Sequence, residues 1–279
     1  MEMKMRYFLT EACKNSFVLF DLMDHSLLEK SLTNRIHRTL LEEKRDDALI
    51  LVEGHSKEGA FYARMLVLGI DGEWGEFCGN GSRTCAAYLF SRYPGFQRYY
   101  LTTNQGDRPL LKYSENLYSI KLPPVRLELN PKFIGRPDLF QKEKIGYSLS
   151  FEGKRFVYAE AIEPHLVILG SLTDEELFSI GKKLNLRKEL FPLGINVNGC
   201  QEKEKNRITV KTYERGVQRL TLSCGTGSSC SSTIFLRGES GSIHVATPGG
   251  DLEITISEEG LELKGPAHIE GSKELLSVD

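Results

Sequence analysis

Residues 78–90, CGNGSRTCAAYLF, return 146 positions later as residues 224–236, CGTGSSCSSTIFL. In both copies a cysteine stands before a Gly-X-Gly run. The residues that follow, Ser82 to Phe90 and Ser228 to Leu236, are small or apolar enough to build a helix. Each cysteine is therefore expected at a helix N-terminus, where unbonded backbone amides and the helix dipole favour negative charge. Such a setting lowers a thiol pKa and cradles a carboxylate. A buried cysteine in one such segment is usually inert packing. Two copies in matched halves point to chemistry.

Outward from these segments the halves keep the same order. Ser31 to Glu43 places Leu32, Ile36 and Leu40 on one helical face, and Thr173 to Leu184 opens with Thr173 and Glu176 in capping-box spacing. Each predicted helix is followed by strand-like stretches and then by the cysteine segment. Strands are expected at Ser16–Asp21, Ala48–Glu53, Ala60–Leu68, Arg98–Thr103, Arg155–Glu160, His165–Leu169 and Arg207–Tyr213, all rich in β-branched or aromatic residues. The paired prolines in Leu122 to Pro131 predict a connector, and the turn-rich Thr247 to Leu252 predicts a tight hairpin before two final strands. The expected fold is α+β: two pseudo-symmetric lobes, each a mostly antiparallel sheet or barrel around a central helix, with the active site in the cleft between them. The expected boundaries are 1–122 for the lobe with Cys78 and 123–264 for the lobe with Cys224. A tail, 265–279, is expected to return to the first lobe.

With 279 residues, 40% of them hydrophobic, the chain can bury two cores. Lys and Arg number 36 against 38 Asp and Glu, without a long run of one sign, so no footprint for nucleic acid or an anionic membrane is present. The N-terminus is broken by charge every few residues, and no apolar stretch reaches the roughly 18 residues of a membrane helix. A cytoplasmic protein is expected, with its six cysteines as free thiols. Neither cysteine segment has CxxC spacing and the histidines do not cluster near them, so no metal is expected. No lysine motif suggests a Schiff base, so no cofactor is expected either. Cys85 and Cys230 read as packing inside the predicted helices. Cys13 and Cys200 receive no role.

Two thiols on either side of a carbon adjacent to a carboxylate suit stereochemical inversion. One thiolate removes the proton from one face while the opposed thiol donates to the other, so the pair rests as one S⁻ and one SH.

At these segments the sequence resembles the diaminopimelate epimerase family, which carries CGNG in its N-terminal lobe and CGTG or CGSG in its C-terminal lobe. The resemblance runs in order through nearly the whole chain. It takes in Asn15, Ser16 and Phe17 in place of an Asn-Asp-Phe triplet, then Pro164 and His165, then Asn196 and Val197. Glu214, Arg215 and Gly216 follow, and Pro248, Gly249 and Gly250 close it. The resemblance implies that Cys78 and Cys224 are the acid and base, with His165 near the first and Glu214 near the second. It further implies that Gly79, Asn80, Gly225 and Thr226 bind the carboxylate at the reacting centre, that Asn15, Asn196 and Glu214 contact the substrate, and that Arg215 pairs with a distal carboxylate. The implied reaction converts LL-diaminopimelate to the meso form, for lysine and peptidoglycan synthesis, without a cofactor. Partners other than the small amino-acid substrate are not expected, and a homodimer is left open.

The sequence departs from the family at the distal end. Ala48 stands where the family has Gln, Gly69 where it has Asn, and Glu163 where it has Asn before Pro-His. Glu163 favours a cationic amine there over a carboxylate. The alternatives are therefore a cofactor-independent racemase of another amino acid, or a non-catalytic ligand-binding relative of the fold. Proline racemases fit less well, because Leu222 and Ser223 precede Cys224 where that group has Asp-Arg-Ser-Pro. Phenazine-biosynthesis isomerases lack the cysteine pair.

Overall fold

The computed structural model describes residues 5–24, 28–104 and 106–275. The chain divides into two units, Met1–Lys121 joined by Lys264–Asp279, and Leu122–Leu263. In unit 1, β1 (Met5–Ala12) and β2 (Asn15–Leu22) form an antiparallel hairpin. Helix α1 (Lys30–Glu43) then carries the chain to β3 (Asp47–Lys57), parallel to β2, and β4 (Ala60–Gly69) returns antiparallel. The short β5 (Trp74–Gly75) pairs with β4 before α2 (Gly79–Arg92) leads to β6 (Arg98–Thr103), parallel to β4. Strands β7 (Gly106–Ser114) and β8 (Leu117–Leu122) continue as an antiparallel meander.

Unit 2 begins with β9 (Phe140–Lys142) and β10 (Tyr147–Phe151), which pair antiparallel. It then repeats the plan of unit 1. Strands β11 (Lys154–Ala161) and β12 (Glu163–Leu169) pair antiparallel, and α3 (Asp174–Leu186) crosses to β13 (Asn196–Glu204), parallel to β12. Strand β14 (Arg207–Glu214) returns antiparallel and the short β15 (Arg219–Thr221) pairs with it. Helix α4 (Gly225–Phe235) leads to β16 (Gly241–Thr247), parallel to β14, and β17 (Gly250–Ser257) pairs antiparallel with β16. Strand β18 (Gly260–Pro266) follows. The last strand, β19 (His268–Leu275), pairs antiparallel with β1 of unit 1. Three strands thus follow the Pro248–Gly249 turn where two were expected.

The duplication places two kinds of helix in each unit. Helix α1 is amphipathic: Ile36 and Leu40 pack on Val18, Phe20, Ala48, Ile50 and Val52 of β2 and β3. The alternate residues of those strands, Phe17, Leu19 and Leu49, are also fully buried, so both faces of the strands are covered. This explains why β2 and β3 read as unbroken apolar runs. Helices α2 and α4 are central helices, buried without interruption from Gly79 to Leu89 and from Gly225 to Ile234. A helix buried on every side shows no amphipathic stripe. The small residues Gly, Ala, Ser and Thr keep it narrow enough for a sheet to wrap it.

At α3 the expected capping box is present: Glu176 N–H donates to Thr173 Oγ1 at 3.2 Å and Thr173 N–H to Glu176 Oε2 at 2.9 Å. Strand β1 escaped the sequence reading. Its residues, MRYFLTEA, alternate imperfectly, and it is made a strand by partners on both edges. No helix among the described residues is long and apolar enough to cross a membrane.

Candidate active site

Each central helix begins on its cysteine. Cys78 is the N-cap of α2, with extended backbone at φ −136° and ψ 110°, and its sulfur accepts the Gly81 N–H at 3.2 Å. Cys224 is the N-cap of α4, at φ −122° and ψ 111°, and its sulfur accepts the Gly227 N–H at 3.4 Å. The first intrahelical bonds run from Ser82 to the Cys78 carbonyl and from Ser228 to the Cys224 carbonyl. In the N-cap role usually taken by Ser, Thr, Asp or Asn, sulfur thus receives an amide of the first turn. A hydrogen bond to sulfur from N–H stabilises the thiolate over the thiol.

The second glycine of each motif serves packing. A Cβ on Gly81 would lie 2.7 Å from Leu49 Cδ2. A Cβ on Gly227 would lie 2.4 Å from Asn198 Oδ1 and 2.9 Å from Thr212 Oγ1. The glycines let the helix start press onto the sheet that orients it.

In unit 1, Cys78 is half-buried and Asn80 is buried. Asn15 opens β2, and its buried Oδ1 has no hydrogen-bond partner among the described residues, which leaves an acceptor for a ligand. Cys85 is buried, and burial first and then Cys78 raise its pKa well above that of an ordinary thiol. It packs the helix.

Unit 2 holds a polar relay. His165 is fully buried on β12, and Asn198 of the neighbouring β13 donates to its Nδ1 at 3.0 Å. Asn198 also donates to the Leu166 carbonyl and accepts from Thr212, which settles which way its amide points. The proton of the imidazole therefore sits on Nε2, 3.0 Å from Thr226 Oγ1, and Thr226 Oγ1 lies 3.3 Å from Cys224 Sγ. Burial, followed by the nearby Arg215 charge, pushes His165 down to about 3. It is neutral at ordinary pH and acts as a hydrogen-bond donor rather than a cation. The relay within unit 2 links His165 through a hydroxyl to Cys224.

Glu214, at the end of β14, is fully buried and accepts from Thr221 Oγ1 at 2.5 Å. Burial raises its pKa, with Glu163 adding to the rise, and a hydrogen bond with Cys224 opposes it. Burial and then Glu214 raise Cys224 well above an ordinary thiol, while Thr226 and the Gly227 amide work against them. The surroundings hold Cys224 as the neutral thiol.

Arg215 and Glu163 form an ion pair, with Nε 2.8 Å and Nη2 2.5 Å from one carboxylate oxygen, and their side chains are 14% and 17% exposed. The Arg215 amide donates to Asn196 Oδ1 at 2.9 Å and its Nη1 to the Leu193 carbonyl at 3.0 Å, and the guanidinium lies over Phe133. Asn196 in turn stands 3.5 Å from His165 Nε2. Unit 2 therefore gathers His165, Asn196, Glu214, Arg215, Thr226 and Cys224 into one hydrogen-bonded neighbourhood. Asn198 belongs to it too and was missed. Its signal was present, since Asn196 and Asn198 alternate on β13 and so share a face with period two. Of the departures in unit 1, Ala48 lies in the core under α1 and Gly69 ends β4 opposite Asp47.

Solved structures share this plan. A hydroxyproline epimerase from Agrobacterium vitis with bound trans-4-hydroxy-L-proline superposes with a TM-score of 0.65 at 14% identity, over 98% of this chain and 91% of that one. A phenazine biosynthesis protein of the PhzF family from Enterococcus faecalis gives 0.61 at 14% identity, over 99% of this chain and 100% of that one. The chain shares the fold of these two proteins. A family model described as diaminopimelate epimerase matches residues 161–270. Diaminopimelate epimerase from Archaeoglobus fulgidus is 31% identical over 91% of this chain and 90% of its own length, and that from Chlamydia trachomatis serovar A is 31% identical over 95% and 90%. The chain belongs to the diaminopimelate epimerase family and is an isomerase of the amino-acid epimerase and racemase class.

Proposed function

We propose that this enzyme inverts the α-carbon of an amino acid by a two-base mechanism, with Cys78 and Cys224 reaching that carbon from opposite faces. The observation that carries the reading is the matched pair of sulfur caps, with Gly81 N–H on Cys78 and Gly227 N–H on Cys224. One cysteine as thiolate abstracts the α-proton and the other as thiol returns a proton to the opposite face, so the reverse reaction exchanges their roles. The environment of Cys224 suits the resting acid, since burial and Glu214 keep its proton on. As it becomes an anion, the Gly227 amide and the Thr226 hydroxyl, itself polarised by His165 Nε2–H, receive the charge.

At positions N1 and N2 of each helix, Gly79 and Asn80 in one unit and Gly225 and Thr226 in the other, the amides have no acceptor within the helix itself. These four positions are assigned to the substrate α-carboxylate, whose developing enolate charge they would stabilise. Asn15 and Asn196 are assigned to substrate orientation. No step calls for a cofactor, and the cytoplasm is the compartment that keeps both thiols reduced.

LL-diaminopimelate, epimerised to the meso form, is the first substrate reading, because the relatives carry that name. A second reading, racemisation of another amino acid by the same chemistry, is favoured by the Arg215–Glu163 pair, which already supplies a carboxylate to the arginine. Incubation in D₂O with LL-diaminopimelate and a panel of L-amino acids separates the two. Deuterium entering the α-position of diaminopimelate supports the first; deuterium entering only a different amino acid removes it. Exchange in none removes the two-base reading.

A further inference from the structure

Arg83 is a buried cation that the mechanism above leaves unused. It is fully buried one turn into α2, yet no carboxylate contacts it among the described residues. Its Nη2 donates to Asn80 Oδ1 at 2.8 Å and to Cys13 Sγ at 3.5 Å, its Nη1 to the Gly79 carbonyl at 3.3 Å, and its Nε to the Pro266 carbonyl at 3.5 Å. Guanidinium stays protonated at any ordinary pH, and a buried charge is normally matched by an opposite one. Here the anionisable groups around it are sulfurs.

A second observation points to the same place. Cys13 and Lys14 join β1 to β2 as a two-residue hairpin loop between the paired Ala12 and Asn15, with φ of 52° and 59°. Left-handed conformation at both loop residues is the habit of Asn-Gly, and side chains such as cysteine hold it only under constraint. The Cys13 side chain at this turn is 2% exposed and in contact with Arg83. Strained backbone kept at a polar contact is a recurring mark of functional sites.

We propose that Arg83 is the positioning residue of the first half-site: wired to Gly79 and Asn80 beside Cys78, its guanidinium favours the anionic form of Cys78, and Cys13 is a third thiol that shares this charge. The proposal rests on the reading of Cys78 as a catalytic thiol and supplies the asymmetry that reading needs. Unit 1 pairs its cysteine with a buried cation, whereas unit 2 pairs its own with the buried carboxyl of Glu214. The resting thiolate then belongs to Cys78 and the resting proton to Cys224. Burial pulls the Arg83 pKa below the ordinary arginine value, and Cys13 and Cys78 push it back up. Arg83, Cys13 and Cys85 are among the titratable groups that act on one another around Cys78 within its unit, and Cys85 is held neutral by burial.

The test is the pH dependence of Cys78 alkylation by iodoacetamide in the full-length protein, followed by peptide mass spectrometry, with circular dichroism to verify folding. The thiolate is the species that reacts, so loss of one pKa unit of stabilisation lowers the rate near neutral pH about tenfold. Arg83→Met is expected to move the Cys78 curve to higher pH, with a rate at pH 7 at least about tenfold lower, and Arg83→Lys to recover part of the shift. Cys13→Ala is expected to move the curve to lower pH, because the guanidinium then serves Cys78 alone. A folded Arg83→Met or Cys13→Ala protein whose curve superimposes on that of the wild type overturns the proposal. Should Arg83→Met fail to fold, Arg83→Lys and Cys13→Ala decide it by the same criterion. Alkylation needs no substrate, so a protein that exchanges no α-proton would remove the catalytic reading and still report on Arg83.

Discussion

Replacing Glu163 with Gln tests how the ion pair governs substrate choice. Arg215 spends Nε and Nη2 on Glu163 and Nη1 on the Leu193 carbonyl, in a site about one-sixth exposed. A substrate carboxylate that takes Arg215 must either displace Glu163 or sit beside it. Displacement forfeits a hydrogen bond to a charged group, worth about 1.5–3 kcal/mol. Coexistence sets two carboxylates roughly 4 Å apart, a repulsion of about 4 kcal/mol at the effective dielectric of a protein near its surface. The smaller cost already corresponds to a factor of roughly ten in kcat/KM. Glu163→Gln keeps the shape and a hydrogen-bonding oxygen but removes the charge. It is expected to raise kcat/KM for LL-diaminopimelate by about tenfold or more, and to lower it for an amino acid with a cationic side chain. The assay is α-proton exchange in D₂O followed by NMR, with both substrates measured on both proteins. A folded Glu163→Gln enzyme whose preference for the two substrates is unchanged refutes the argument that this carboxylate screens Arg215.

Three further outcomes follow from the site. Cys78→Ser and Cys224→Ser should each lower racemisation by at least about a thousandfold while keeping the fold, since a hydroxyl can cap the helix but ionises far less readily; a substrate titrated by calorimetry should still bind. His165 is neutral in the folded protein down to about pH 3, whereas an unfolded histidine takes up a proton near pH 6.5. Between those values the unfolded state binds the extra proton, so stability falls as pH drops below about 6.5, by about 1.4 kcal/mol per unit from this group. Urea unfolding at pH 7.5, 5.5 and 4.5 should show a shallower acid slope for His165→Gln, and an identical slope would argue against a buried neutral imidazole. Gly227→Ala drives a methyl into Asn198 and Thr212. It should cost about 1–3 kcal/mol in chemical denaturation and lower activity more than Gly271→Ala, a position where a Cβ meets nothing within 4 Å.

Much of this was local enough to be read from residue order. A helix cap depends on residues within one turn, so Cys78 to Gly81, Cys224 to Gly227 and Thr173 to Glu176 announce themselves by spacing. The duplicated order of strands around two helices is legible in part for a similar reason: β2, β3 and β12 are buried on both faces and carry the apolar runs that this requires, whereas the largely polar β13 carries none and was not expected as a strand. Strand β1 lacks such a run, because its half-exposed residues owe their extended form to β2 and β19 rather than to local preference.

Sequence alone determined the family, the paired cysteines and the residue types around them, because these rest on local backbone chemistry and on motif order. Tertiary structure decided the electrostatics. Glu163 was visible as an acid where the family has an amide, but only folding shows its carboxylate on Arg215, a residue distant in sequence. Folding likewise gathers Cys13, Arg83 and Asn80 about one guanidinium, and threads Asn198, His165 and Thr226 into a relay to Cys224. Charges act through space at a few ångströms, and distance along the chain does not reveal which of them will meet.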